Sequence, residues 1–166
     1  MIRSSGRCTP LASATSAFVC YTAVMLVLER RMGRTGGPGI IPFELAGSAE
    51  RAHRIMCAWG EDGRRAARWS LWLDFGYMLT YGAMTALLVD RARRRRGHSA
   101  ALPLLVAPAV AADAVEGVSL LRVLSGSAVA ANARRATAAA LVKFGFLITA
   151  LAYVLADRLT PRNRRC

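Results

Sequence analysis

The chain is poor in the residues and spacings on which most recognisable soluble sites are built. Its four cysteines include no Cys-x-x-Cys pair, and its two histidines lie far apart. These spacings argue against a zinc ribbon, a dithiol redox motif and a small disulfide-stapled scaffold. Neither a phosphate-binding P-loop nor a Ser/His/Asp grouping is evident. Any chemistry must therefore depend on a different arrangement of residues.

Acidic residues are also scarce, whereas apolar residues are abundant. The 166 residues include 10 Asp and Glu against 23 Lys and Arg, for a formal charge of +13, and 54% are hydrophobic. Mean hydropathy is +0.31, and apolar runs alternate with arginine clusters. Basic clusters at the ends of apolar runs are typical of topology signals and anionic-lipid contacts. We therefore expect membrane lipids as partners, and no nucleic acid.

Four apolar stretches are long enough to cross a bilayer, which takes roughly 20 helical residues. They cover about 11–28, 69–89, 101–121 and 137–156. We predict a single all-α domain: a four-transmembrane-helix bundle in the cell membrane. The first stretch is predicted to be a retained span, because Glu29, Arg30 and Arg31 close it without a signal-peptide cleavage site.

An even number of spans places both termini on the same side of the membrane. The basic residues divide evenly between the two sides, so their number alone does not set the orientation. The densest cluster, Arg91 with residues 93–96, lies in a very short loop and favours cytoplasmic termini.

The connection over residues 29–68 is too long for a simple turn, and loops of this length usually carry structure or function. Its Gly-rich and Pro-rich start, 33–39, is expected to be irregular. From Glu44 to Trp59 apolar residues recur at helical spacing, which predicts an amphipathic interfacial helix over about 44–59. Ser48 suits a capping position, and Gly60 ends the pattern. This helix is either a connector or a lid over a site inside the bundle.

The most informative residues are the ionisable ones inside the predicted spans: Asp74, Asp113, Glu116 and Lys143, the only lysine. A charge at mid-membrane costs roughly 2.5–3.5 kcal/mol on insertion scales, so such residues normally face a bundle interior and mark function. At about 1.5 Å per residue, all four lie roughly 8–12 Å below the same membrane surface. We predict that they form one polar intramembrane site and assign them as candidate catalytic residues.

Neighbouring residues extend this predicted site. Tyr77 and Tyr81 follow Asp74 at i+3 and i+7, on one helix face. Glu44 and Trp59 lie on the predicted interfacial helix. These four residues, Tyr77, Tyr81, Glu44 and Trp59, are our weaker, substrate-binding candidates.

The three span carboxyls and one lysine leave a formal charge of −2. The excess requires protonation, an arginine such as Arg68 or Arg122, or a cation or polar ligand. A purely structural alternative is a buried ion-pair network that fixes helix packing.

Several functions are compatible with such a site. An enzyme would use Glu116 or Asp113 as proton donor or acceptor on a lipophilic molecule. The acids could instead bind Mg²⁺, although Lys143 would compete with the metal. A small proton-coupled transporter, requiring a homodimer at this length, and a non-catalytic membrane subunit are the other readings. Our leading hypothesis is binding or conversion of a lipophilic small molecule, without a cofactor or metal.

The chain also resembles an uncharacterised family of small four-span bacterial membrane proteins over most of 43–155. The resemblance rests on FELAG at 43–47, AWG at 58–60, WLDFGYMLTYG at 72–82, DAVEG and LLRVL within 113–124, and Lys143 before FGFLITALAYVL. That family is expected to have Asp-x-x-Glu-Asn in its third span, where Gly117 takes the Asn position here. The resemblance implies a four-span fold and no particular activity.

Overall fold

A computed structural model describes residues 10–159, and this part of the chain is helical, without strands. The helices are α1 (Pro10–Arg34), α2 (Ile40–Glu44), α3 (Ala49–Arg96), α4 (Val106–Leu124) and α5 (Val129–Leu159). A 3₁₀ turn, Leu102–Leu105, leads directly into α4. The predicted all-α class is therefore confirmed.

Three helical stretches are long and apolar enough to cross a membrane. They are Pro10–Arg34, Leu102–Leu124 and Val129–Leu159, whose apolar 18-residue segments have mean hydropathies of 1.9, 1.7 and 2.0. They contain the predicted spans 11–28 and 137–156 and all but the first residue of 101–121. The predicted span 69–89 lies within α3, which falls short of the same apolar composition because aromatic residues and Asp74 interrupt it. Three apolar helices of this kind indicate a membrane protein.

Helix α3 is central to the bundle. It packs against α1 and also against α4 and α5, which pack against each other. The main apolar core lies at the end of the bundle where α2 and the beginning of α3 meet α4 and α5. Its largest fully buried side chains are those of Met32, Phe43, Trp59, Leu120 and Val123.

The segment between α1 and α3 differs from the single helix predicted over 44–59. Helix α2 ends at Glu44, and the following turn contains Gly47 with φ 67°. The next helix begins at Ala49, where Ser48 accepts a hydrogen bond from the Arg51 amide at 3.2 Å, as expected of a helix cap. Gly60 has φ 60° and ψ −158°, so it separates residues 49–59 from the rest of α3. The non-helical Gly60 thus coincides with the predicted end of the pattern, whereas the helix that contains residues 49–59 begins at Ala49 and not at Glu44.

Candidate functional site

Three acidic side chains from two helices surround the ammonium group of Lys143. Its Nζ lies 2.7 Å from Glu116 Oε2, 3.0 Å from Asp113 Oδ1 and 3.7 Å from Glu44 Oε2. Lys143, Asp113 and Glu116 are 7%, 2% and 2% exposed, and Glu44 is 9% exposed. The lysine and its acidic partners therefore form a closed ionic cluster inside the protein.

Helical spacing places the inner part of this cluster. Asp113 and Glu116 are three residues apart on α4, so their carboxyl groups share the face that packs on α5. Lys143 lies on the opposing face of α5 and reaches both carboxyl groups. The convergence predicted from depth and spacing is confirmed for these three residues.

A different part of the chain delivers Glu44. It is the last residue of α2, and its backbone carbonyl accepts a hydrogen bond from Thr137 Oγ1 on α5 at 2.9 Å. At the other end of α2, Glu29 Oε2 accepts a hydrogen bond from the Ile40 amide at 3.0 Å. Because both ends of α2 are held in this way, the Glu44 carboxyl is fixed beside Lys143.

Tyr81 and Asp74 extend the cluster into α3. The Tyr81 hydroxyl donates a hydrogen bond to Asp113 Oδ2 at 2.5 Å, so Asp113 binds Lys143 through one oxygen and Tyr81 through the other. Asp74 interacts with the Asp113 carboxyl but is only half-buried and has no ion pair within residues 10–159. Asp74 is therefore more exposed than the other carboxyls of the group.

The other two predicted site residues lie outside the contact shell of Lys143. The Tyr77 ring stacks on Phe18 of α1 with centroids 5.5 Å apart, and its hydroxyl lies 3.2 Å from Thr22 Oγ1. Within the described residues, Tyr77 contacts the cluster through the edge of the Tyr81 ring. Trp59 is 1% exposed; its Nε1 donates to the Pro38 carbonyl, and its ring packs on Phe43.

The site contains more carboxyl groups than basic groups. With Glu44 included, four carboxyl groups face one ammonium, a formal charge of −3 if all ionise. All ion pairs of these carboxyls within the described chain are made to Lys143, and Arg68 and Arg122 are exposed elsewhere. Glu116 Oε2 is buried and, although ion-paired, has no hydrogen bond of good geometry. Protons or a positively charged group must supply the remaining balance.

Glu44 lies outside the apolar helices, and its ionisation reflects this crowding. Burial raises the pKa of the Glu44 carboxyl above its ordinary value, and the Lys143 ammonium opposes that rise. Glu44 therefore takes up a proton more readily than an exposed glutamate.

The arrangement does not resemble a metal centre. Within residues 10–159 no group of three or more His, Cys, Asp or Glu side chains is placed to hold a metal ion. The Lys143 ammonium occupies the point on which the carboxylates converge, and it would repel a divalent cation there.

Sequence reasoning did not include Thr137 among the site residues. Its contribution is a hydrogen bond to a backbone carbonyl, and no spacing of side-chain types reveals such a contact.

Comparison with known proteins adds no assignment: a scan against protein-family models, a search of curated proteins and a search of solved structures each gave no match.

Proposed function

We propose that this chain is a four-span membrane protein whose lysine–carboxylate cluster binds or converts a lipophilic small molecule with a polar group. Residues 69–89 of α3 form the fourth span, and residues 40–59 lie at the membrane surface. The termini lie on the same side, in the cytoplasm.

The surface of α3 supports a membrane crossing by residues 69–89. Trp69 and Trp72 are 60% and 59% exposed and mark one end of this stretch. Exposed tryptophans are typical of the boundary between lipid and water. The other end is followed by residues 93–96, all arginine. Since α3 also packs against three apolar helices, burying it among them in the bilayer satisfies its Asp74 and Tyr81 side chains within the protein.

The observation that carries a functional role is the excess of buried carboxyl groups over Lys143. A packing network would need one carboxylate for one ammonium, because each further unpaired charge adds a desolvation cost. Here Lys143 has three acidic neighbours and Asp74 stands beside Asp113. Carboxyl groups that share protons are suited to donate and accept them, and Glu116 or Asp113 would do so toward the ligand.

A non-catalytic role is the second candidate. All the ion pairs of the cluster converge on one lysine, and such a network can also fix the register of α2, α4 and α5. A membrane subunit needs no more than this. A proton-coupled transporter would add a homodimer whose ligand affinity changes with pH.

The test is mass spectrometry of the compounds that copurify with the protein in mild detergent. Wild type is compared with Glu116→Gln and Lys143→Met, and with Arg134→Met as an exposed control on α5. We expect a defined lipophilic compound in wild type and in the control, and its loss from both folded cluster variants. If no compound is specific to wild type and the two variants only unfold earlier, the cluster is structural and the proposed function is wrong.

A further inference from the structure

We infer that the ligand of this site is a membrane-dissolved amphiphile with a cationic head group, whose hydrocarbon chain lies in a groove between α3 and α4. This inference rests on the proposed function and names the class of molecule that the site takes. Three features support it: an apolar core that closes the site on the α2 side, an apolar groove about one helical turn from the cluster, and a partly exposed carboxyl, Asp74, that makes no ion pair in the described chain.

The aqueous end of the bundle is closed. Phe43, Trp59 and Met32 are fully buried in the apolar core at the α2 end of the bundle. Helix α2, which carries Phe43 and Glu44, donates a hydrogen bond to an α1 side chain and accepts one from an α5 side chain. A water-soluble ligand entering from this side would have to displace the apolar core, whereas a molecule dissolved in the bilayer would not.

A groove of about 450 Å³ runs along the outer surface between α3 and α4. Its lining is apolar and made mostly of small residues, and its walls include Met78, Gly82, Ala86, Val110, Ala111 and Ala114. The two helices approach closely beneath it, since a Cβ at Gly82 would lie 2.8 Å from Val110 Cγ2. Such a surface in the bilayer accommodates a hydrocarbon chain.

The groove lies about one helical turn from the polar cluster along α3 and α4, although no member of the cluster lines it. Met78 is three residues before Tyr81, and Val110 is three residues before Asp113, so each groove residue shares a helix face with a member of the cluster. Asp74 lies one turn of α3, about 6 Å, beyond Met78 in the direction of α2. A chain lying in the groove therefore brings its head group to Asp74.

Charge complementarity selects the head group. Asp74 is half-buried, makes no ion pair in the described chain and lies beside the Asp113 carboxyl. A cationic head group can take the place of a proton in balancing the excess carboxyls of the cluster, whereas an anionic head group would add to that excess. The ligand class is therefore a long-chain amine, as opposed to a fatty acid or an anionic phospholipid.

The experiment measures binding of dodecylamine and dodecanoate, which share chain length and differ in charge, to protein in phosphatidylcholine nanodiscs at pH 7. We expect wild type to bind the amine at least about tenfold more tightly than the acid. Asp74→Asn should remove most of this preference. Ala111→Trp, which fills the groove, should weaken binding of both probes about tenfold, whereas Ile148→Trp on the exposed face of α5 should change neither.

Equal affinity of wild type for the two probes would overturn the cationic head group, and unchanged binding by Ala111→Trp would overturn the groove. Thermal unfolding of each variant distinguishes these results from misfolding, and Met78→Trp provides a second groove variant. If Glu116→Gln and Lys143→Met lose a copurifying compound while the probes are not distinguished, this inference fails and the proposed function stands. If those variants lose nothing, the proposed function fails separately.

Discussion

Lys143 Nζ lies 2.7 Å from Glu116 Oε2, and the two side chains are almost completely buried. Lysine supplies the only positive charge in contact with this group of carboxyls within residues 10–159. The stability of the whole cluster therefore depends on one ammonium group.

Lys143→Met should strongly destabilise the protein. The variant leaves Asp113, Glu116 and Glu44 without their ion pair, and removing one partner of a buried pair costs about 3–5 kcal/mol. The measurement is thermal unfolding in detergent, with the exposed Arg134→Met as the matched loss of a positive charge from α5. The double variant Lys143→Met with Glu116→Leu should recover part of the loss. Equal melting temperatures for wild type and Lys143→Met would contradict this account of the cluster.

Tyr81→Phe should also destabilise the protein, by about 1–3 kcal/mol, because Asp113 Oδ2 loses its hydrogen-bond donor in a buried position. Tyr77→Phe removes a chemically identical hydroxyl that lies 3.2 Å from Thr22 Oγ1 outside the cluster. Its loss should cost less, about 0.5–1.5 kcal/mol. Both are read as changes in the free energy of unfolding. Similar decreases in the free energy of unfolding for the two variants would mean that the hydrogen bond to Asp113 stabilises the protein no more than the Tyr77 contact does.

Much of the inner cluster could be predicted from the sequence. Charged residues in apolar stretches are recognisable one by one, and the i, i+3 spacing of Asp113 and Glu116 places both on one face. Counting residues from the ends of the predicted spans then places Lys143 at a similar depth in the membrane to Asp113 and Glu116. These arguments use only the regular geometry of a helix, and the structure confirms the contacts they predict.

The position of Glu44 and the packing of Tyr77 depend on contacts between separate segments of the chain, which helical geometry does not identify. The turn after Glu44, with Gly47 in the left-handed region, sets the position of that carboxyl, and the apolar periodicity from residue 44 onward does not reveal it. Tyr77 shares a face with Asp74 as predicted, yet it packs on Phe18 because α1 occupies that side of α3. Periodicity identifies residues on one face, and only the tertiary arrangement identifies what lies opposite.

The stability contributed by Glu44 should depend on pH. Burial raises the pKa of Glu44 above its ordinary value of 4.5, with Lys143 opposing the rise. A raised pKa means that the folded state binds the proton more tightly than the unfolded state. The resulting stabilisation is present below about pH 4.5 and is lost as pH rises through the folded pKa.

Glu44→Gln removes this titration. The melting temperature of wild type should therefore fall relative to that of Glu44→Gln as pH rises above about 4.5. Glu50→Gln, an exposed change in the same segment, is the control and should follow the wild-type curve. A wild-type curve that runs parallel to that of Glu44→Gln at every pH would show that burial does not perturb Glu44.

Cysteine labelling decides whether α3 crosses the membrane. In a background with all natural cysteines replaced by serine, single variants His53→Cys, His98→Cys and Ser127→Cys place exposed thiols before, after and beyond the proposed span. If residues 69–89 cross the bilayer, a membrane-impermeant maleimide applied to intact cells labels positions 53 and 127 from one side. Position 98 then reacts only after permeabilisation. In the opposite orientation, position 98 reacts in intact cells, and positions 53 and 127 react only after permeabilisation. If only α1, α4 and α5 cross, positions 53 and 98 lie on the same side and position 127 on the other. Labelling of position 53 together with position 127 thus indicates four spans, and labelling together with position 98 indicates three, in either orientation. If four spans are found, labelling of position 98 from outside the cell would place the termini outside as well.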